Sequence, residues 1–235
     1  MVSSEVYATA EQIRGAMDGT LTGDDGELGL IALAVSRWLD AYCGYLDVGF
    51  VAPDTATAKI YGADGENYLW IDPCTEITAV AMKDAVTDTT YSVAFTVGTH
   101  VLGFRGDPQS KFIEYNKTPY HGIKLQPNAP RSYFTDGRYM TERGFPVHPD
   151  DLRKTTFTPT VQVTAKWGYA AEIPPIINRV TIMQSIRIYK RQKGAMADSV
   201  LSGDFNIQQY NKMIDPDIKA MLTFSRMKNS SLGGR

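Results

Sequence analysis

One segment limits the possible folds more than any other, Val161 to Arg179, with the sequence VQVTAKWGYAAEIPPIINR. Val161, Val163, Ala165 and Trp167 alternate with Gln162, Thr164 and Lys166, the period-two pattern of a half-buried strand. Gly168 ends that strand. Pro174 and Pro175 then open a helix, because a proline in the first turn lacks only an N–H that has no partner there. A β-region therefore runs straight into a helix predicted over residues 175–192. Ile176, Val180 and Met183 share one side of it, Ile182, Ile186 and Tyr189 another, and Ile177 and Ile188 a third. Only Asn178, Thr181 and Ser185 make a polar stripe. A helix apolar nearly all round is buried on most sides. It is either the central helix of a monomeric core, or a helix that packs on its own domain and on a neighbouring subunit.

Upstream, residues 8–18 read as a short helix with Thr9 as N-cap and Ile13 and Met17 as an i, i+4 pair. Residues 19–23 form a turn. Asp24 or Asp25 caps a second helix whose apolar face is Leu28, Ile31, Val35, Trp38, Leu39 and Tyr42, and Gly44 ends it. From Ala56 to Trp167 the period becomes two. Thr57–Tyr61 and Asn67–Ile71 suggest a hairpin around Asp64-Gly65. Thr75–Met82 is a strand, Tyr91–Val97 is the cleanest alternation, and Lys111–Tyr115 and Gly122–Leu125 are shorter candidates. Residues 126–150 carry Pro127, Pro130, Gly137, Gly144, Pro146 and Pro149 among Tyr133, Phe134, Tyr139 and Phe145. They read as a long ordered loop with aromatic anchors, laid on its own sheet or against another subunit.

A polar break, residues 194–203, follows the long helix. Asp215 caps a last helix, with Pro216 at its first position and Asp217 suited to the dipole. Ile218, Met221 and Leu222 give it one apolar face; it ends near Lys228, and residues 229–235 read as a tail. Such a short helix is marginal alone and needs something to dock on. The expected fold class is α+β. Two N-terminal helices and the long helix after Pro175 form a helical core (residues 1–50 and 166–194), with a large inserted antiparallel β-domain (51–165) and a C-terminal arm carrying the short helix (195–235). Removal of the arm is expected to leave the fold intact.

The chain of 235 residues is 43% hydrophobic and 21% charged, a globular composition. Its net charge of −2 does not suit a surface devoted to nucleic acid. Cys43 and Cys74 are the only cysteines, too few for a disulfide scaffold or a four-thiolate metal site, and read as buried free thiols. The N-terminus lacks a secretory signal pattern, and the longest apolar run, Leu28–Val35, is too short to span a bilayer. Both point to a soluble protein made in the cytoplasm. His100, His121 and His148 have no metal-ligand spacing, and nucleophile-elbow and phosphate-loop motifs are absent. His148 with Asp150 or Asp151 reads as a loop beside a helix cap. Asp24-Asp25-Gly26-Glu27 reads as helix capping, since it lacks the spaced ligands of a calcium loop. Arg187, Lys190, Arg191 and Lys193 cluster at the end of the long helix, where cations match the dipole; the alternative is a contact with DNA phosphates or an acidic partner.

Three pieces in order carry a resemblance. The first is the front helix pair, with Asp24-Asp25 before Leu28-Gly29-Leu30-Ile31-Ala32-Leu33-Ala34 and Trp38-Leu39-Asp40-Ala41-Tyr42-Cys43 at its end. The second is Lys166-Trp167-Gly168-Tyr169 leading to Ile173-Pro174-Pro175-Ile176-Ile177. The third is the long helix ending in Tyr189-Lys190-Arg191. In these, over roughly residues 9–45 and 161–193, the chain resembles the head–tail connector (adaptor, head-completion) proteins of long-tailed bacteriophages. The resemblance implies a structural virion protein at the neck, with no enzymatic activity and no cofactor. Subunits would form a ring of twelve under the portal protein. The ring would extend a channel through which DNA passes without sequence-specific binding, and meet a tail or stopper protein. Docking on the portal would fall to the arm, through Phe205, Tyr210, Ile214, Pro216, Ile218, Met221, Leu222, Arg226 and Lys228. Subunit contacts would use Trp38, Trp167, Ile182, Ile186 and Tyr189. The large β-insert departs from the compact members. The other readings are a non-catalytic β-domain that binds a sugar, peptide or virion component around Tyr133, Phe134 and Tyr139, and an enzyme with a dispersed site whose groups have shifted pKa values.

Overall fold

A computed structural model describes residues 5–17, 24–45, 47–106, 113–137, 158–193, 199–202, 206–209 and 216–224. The fold is α+β, with helices and a seven-stranded antiparallel sheet. Two compact units divide the chain: Met1–Phe50 with Glu172–Arg235, and Val51–Ala171.

The first unit is helical. Helix α1 (Ala10–Gly15) starts with a capping box, in which the Thr9 side chain accepts from Gln12 N–H and the Gln12 side chain accepts from Thr9 N–H. Helix α2 (Asp25–Cys43) ends where Gly44 adopts a left-handed conformation with φ 82°, the usual stop for a helix. Helix α3 (Pro175–Lys193) packs on both, and α4 (Pro216–Phe224) packs on α3. Between α3 and α4, strands β8 (Ser199–Ser202) and β9 (Asn206–Gln209) form a two-stranded hairpin where a polar break was expected.

Helix α3 is central to this unit, and only Pro175, Arg179, Lys190, Gln192 and Lys193 along it are exposed. Its deepest face corrects the sequence reading. Ile177, Val180, Thr181, Ser185 and Tyr189 are buried, so the polar stripe points inward, while Ile182 and Ile186 are only half-buried. Small hydroxyl side chains let neighbouring backbones come close, and Thr181 Oγ1 satisfies itself by donating to Ile177 O at 2.8 Å.

The second unit is the sheet, with strand order β1-β7-β2-β6-β4-β5 and β3 paired on β2. Its members are β1 (Thr57–Tyr61), β2 (Tyr68–Met82), β3 (Val93–Phe95), β4 (Val101–Arg105), β5 (Glu114–Tyr115), β6 (Tyr120–Leu125) and β7 (Val161–Trp167). Strand β7 alternates as its sequence requires, with Val161, Val163, Ala165 and Trp167 buried. The expected Asp-Gly hairpin does not form. Gly65 does turn the chain, at φ 80°, but β1 pairs with β7. The strands expected at Asn67–Ile71 and Thr75–Met82 are one, β2, which pairs with β6 up to Cys74 and with β7 from there. Pro73, which cannot donate, sits at that handover, where the register shifts. The alternation at Tyr91–Val97 yields only three paired residues, because β3 meets β2 only at Val80–Met82. Strand β4 was not foreseen; Gly103 sits at its middle, paired with Ile123, and a Cβ there would lie 2.6 Å from the Tyr120 ring.

Candidate functional site

In the helical unit the chain before α1 is strapped down by polar contacts. Tyr7 OH donates to Asp40 Oδ1 at 2.6 Å and accepts from Phe50 N–H at 2.9 Å. Tyr7 N–H donates to Ser36 Oγ at 3.0 Å, and Asn178 Nδ2 donates to Tyr7 O at 2.7 Å. Arg37 pairs with Asp40 at 3.1 Å and lies 5.6 Å from the centre of the Tyr7 ring. Burial raises the Asp40 carboxyl above its ordinary range, and the Tyr7 bond and the Arg37 charge oppose that shift. The network is enclosed and holds the fold together.

The open side of α2 is a different surface. Leu30 is 71% exposed and Leu33 37%, and Ala34 and Ala41 are exposed beside them. Trp38 and Tyr42 stack at 5.4 Å on the same helix and are half-buried. Leucines are normally inside, so a stripe of this kind stands out.

Of the residues expected at a subunit contact, Trp38, Ile182 and Ile186 keep part of their surface. Trp167 and Tyr189 are 4% and 1% exposed, each enclosed by its own unit, and Trp167 Nε1 donates to Thr57 O at 2.8 Å. Of the arm, Ile218 and Leu222 are 1% exposed against their own unit, Met221 is half-buried and Pro216 exposed. The short helix thus docks within its own chain. Phe205, Tyr210, Ile214, Arg226 and Lys228 lie outside the described residues, as do the expected Asp215 cap, the turn at 19–23 and the tail at 229–235. In the basic cluster, Lys193 binds Glu27 at 3.0 Å and lies 5.1 Å from the Tyr189 ring centre, while Lys190 is exposed; Arg187 and Arg191 are half-buried. Asp24 holds the N-cap position of α2, but its side chain makes no capping hydrogen bond, and Asp25 in the first turn pairs with Arg14.

In the sheet unit, Lys59, Tyr61 and Asp72 meet. Lys59 Nζ lies 2.6 Å from Asp72 Oδ2, Tyr61 OH donates to the same oxygen at 3.2 Å, and Lys59 sits 4.9 Å from the Trp167 ring centre. Cys74 is buried nearby, its thiol pushed up to about 12 by burial and the Asp72 charge. Burial also raises the Tyr61 phenol. Both groups stay protonated at neutral pH, the wrong direction for a nucleophile or a base. Cys43 and Cys74 are buried thiols and neither is in a disulfide, as their sequence context suggests. His100 Nδ1 accepts from Thr96 N–H, His121 is largely enclosed, and His148 lies outside the described residues. Among the described residues no group of His, Cys, Asp and Glu could hold a metal ion.

Of the aromatic site expected around Tyr133, Phe134 and Tyr139, the described residues are Tyr133 and Phe134, and these two do not share a surface. Phe134 is fully buried against Phe95 and its N–H donates to Glu66 O, so this stretch folds onto its own sheet. Tyr133 is 59% exposed; Tyr139 and Phe145 lie outside the described residues. The concavity the sequence did not suggest lies elsewhere on this unit. It is a cleft of about 520 Å³ lined by Asn67, Leu102, Tyr115, Lys124, Leu125, Gln126, Pro127 and Ser132. Four of these residues, Lys124 to Pro127, are consecutive, and the others come from separate segments of the chain. No helix among the described residues is long and apolar enough to cross a membrane. No protein-family model matches this chain, and no characterised protein matches its sequence.

Proposed function

We propose that this chain is a structural adaptor of a bacteriophage neck, in which copies of the helical unit close into a ring that joins portal to tail. The observation that carries the reading is the apolar stripe of α2, with Leu30 71% exposed. A ring needs a heterologous contact repeated around its axis, and a largely apolar helix face, whose one cation, Arg37, is already paired with Asp40, is suited to one side of it. The ordered sequence pieces that resemble connector proteins support the same reading, and the half-buried Ile182 and Ile186 offer further apolar surface. Because Ile218 and Leu222 are already covered within the chain, contact with the portal falls to the rest of the arm. The ring number of twelve, the stopper or tail protein below and DNA passage come from the resemblance and complete the proposal.

The test is the mass of the purified protein by light scattering, alone and mixed with a purified portal ring. A large ring, or a complex that forms only with portal, is the expected result. A monomer that ignores the portal overturns the proposal.

A further inference from the structure

A heterologous contact joins two different faces of the same chain, so a ring subunit needs a second face beside the α2 stripe. Helix α3 offers one. At about 100° per residue, Arg179, Met183, Ile186 and Lys190 fall within about 60° of one another on its open side. Arg179 and Lys190 are exposed, and Met183 and Ile186 between them are half-buried. The two cations stand about 16 Å apart along the axis. Their side chains make no hydrogen bond or ion pair among the described residues, and α3 holds no acidic residue. Helices α1 and α2 carry the opposite sign. Both of their cations are committed, Arg14 to Asp25 and Arg37 to Asp40. Glu11 in α1 and Asp24 at the start of α2 are exposed, and their side chains make no hydrogen bond or ion pair among the described residues.

We propose that the α2 stripe of one copy packs on this α3 face of the next, with Leu30, Leu33 and Ala34 against Met183 and Ile186, and the α3 cations near Glu11 and Asp24. The inference deepens the adaptor reading and rests on it. Charge complementarity selects a second copy as the occupant. One chain carries unpaired anions beside one apolar face and unpaired cations on the other, so each copy can offer one face and receive its complement. The stripe from Leu30 to Ala41 and the run from Arg179 to Lys190 both span eleven residues, so the two faces match in length. Pairing of like faces would leave the cations of α3 and the acids of α1 and α2 unanswered. DNA phosphates would answer Arg179 and Lys190 and leave Met183 and Ile186 uncovered.

The experiment cross-links full-length chains carrying Ala34→Cys or Ile186→Cys, each alone and mixed in equal amounts, in the presence of a purified portal ring. The reagent is a short bismaleimide, since packed helices lie about 8–10 Å apart. Cys43 and Cys74 are buried, and the parent chain serves as the control for them. Light scattering follows assembly in every sample. Circular dichroism checks folding, and Met183→Cys gives a second probe on the same face. The mixture is expected to yield cross-linked dimers on a denaturing gel several-fold above either variant alone. Arg179→Glu with Lys190→Glu in the Ile186→Cys chain should cut that yield several-fold, and Glu11→Lys with Asp24→Lys in the Ala34→Cys chain should restore it. Assembly without a mixed dimer overturns the inference and leaves the adaptor reading standing. So does a dimer equally strong in Ala34→Cys alone, which would mean that like faces meet, or a yield that ignores charge reversal. A parent chain that never assembles, alone or with portal, overturns the adaptor reading and this inference with it.

Discussion

Tyr7 does more for the helical unit than its place near the chain start suggests. Its hydroxyl serves Asp40 and the Phe50 N–H at once, and its ring meets Phe50 edge-on at 5.7 Å. Tyr7→Phe keeps the ring but leaves a buried carboxylate oxygen and a buried amide short of a partner. Leaving buried groups unsatisfied costs about 1–3 kcal/mol each, and neighbouring groups relax to recover part of it, so a loss of about 2–3 kcal/mol in urea denaturation is expected. A second residue sets a pH dependence. His121 is pushed down to about 4, first by burial and then by the Arg105 charge. Its folded value lies below the ordinary 6.5, so the unfolded chain binds the proton more tightly. The stability this group contributes is therefore complete above pH 6.5 and is lost as pH falls towards 4. The difference is on the order of 3 kcal/mol at most. His121→Gln should flatten this part of the stability–pH curve, and the parent imidazole should titrate near 4 by NMR; a midpoint near 6.5 would refute its enclosure.

Elements formed by local rules were the ones legible in the sequence. The Thr9 cap, the Gly44 stop, the alternation of β7 and the proline start of α3 each depend on residues a few positions apart. What escaped depends on partners far along the chain. Thr57–Tyr61 looked paired with its neighbour because turn chemistry at Gly65 is local, yet β7, a hundred residues later, takes that place. Thr181 and Ser185 read only as part of a polar stripe, and their burial was not legible because hydropathy does not register how closely helices approach. The cleft was invisible because Asn67, Tyr115, Lys124 and Ser132 come from separate segments. Gly122 belongs with these non-local facts. A Cβ there would lie 2.2 Å from Phe104 Cζ and 2.9 Å from the backbone oxygen of Leu69. The ring can turn, but the carbonyl sits in a strand, so Gly122→Ala should destabilise by about 1–3 kcal/mol in thermal or urea unfolding. Helix α4 reverses another expectation. With Ile218 and Leu222 buried against their own unit, removing residues 195–235 uncovers part of α3. Ile218→Ala or Leu222→Ala should each cost about 2–4 kcal/mol, and the truncated chain should unfold at lower urea than the parent. Equal midpoints would mean that α4 adds nothing to the core.

At the scale of the molecule, the sheet unit is an insertion whose two ends meet. Val51 bridges Ala170, Ala52 N–H donates to Ala170 O at 2.8 Å, and Gly168 lies so close that a Cβ there would sit 2.5 Å from Ala52 N. A segment that enters and leaves at one point, with a hydrophobic interior of its own, meets the conditions for folding alone. Residues 51–171 expressed by themselves should therefore unfold in one cooperative transition. Assembly is a separate property, assigned by the adaptor proposal to the helical unit, and the two can be told apart by mass. Leu30→Asp with Leu33→Asp places two charges on this stripe and leaves the fully buried side chains in place, so folding should weaken by only about 1–2 kcal/mol, from lost helix propensity and the covered part of Leu33. In a ring contact the same charges would be taken out of water without partners, which no interface tolerates cheaply. The expected light-scattering result is a ring, or a portal-bound complex, for the parent chain, and a folded monomer for the double variant and for the 51–171 fragment. A double variant that still assembles removes α2 from the contact and moves the search to Ile182 and Ile186. A fragment that assembles alone shifts the ring contact to the sheet unit and overturns the assignment.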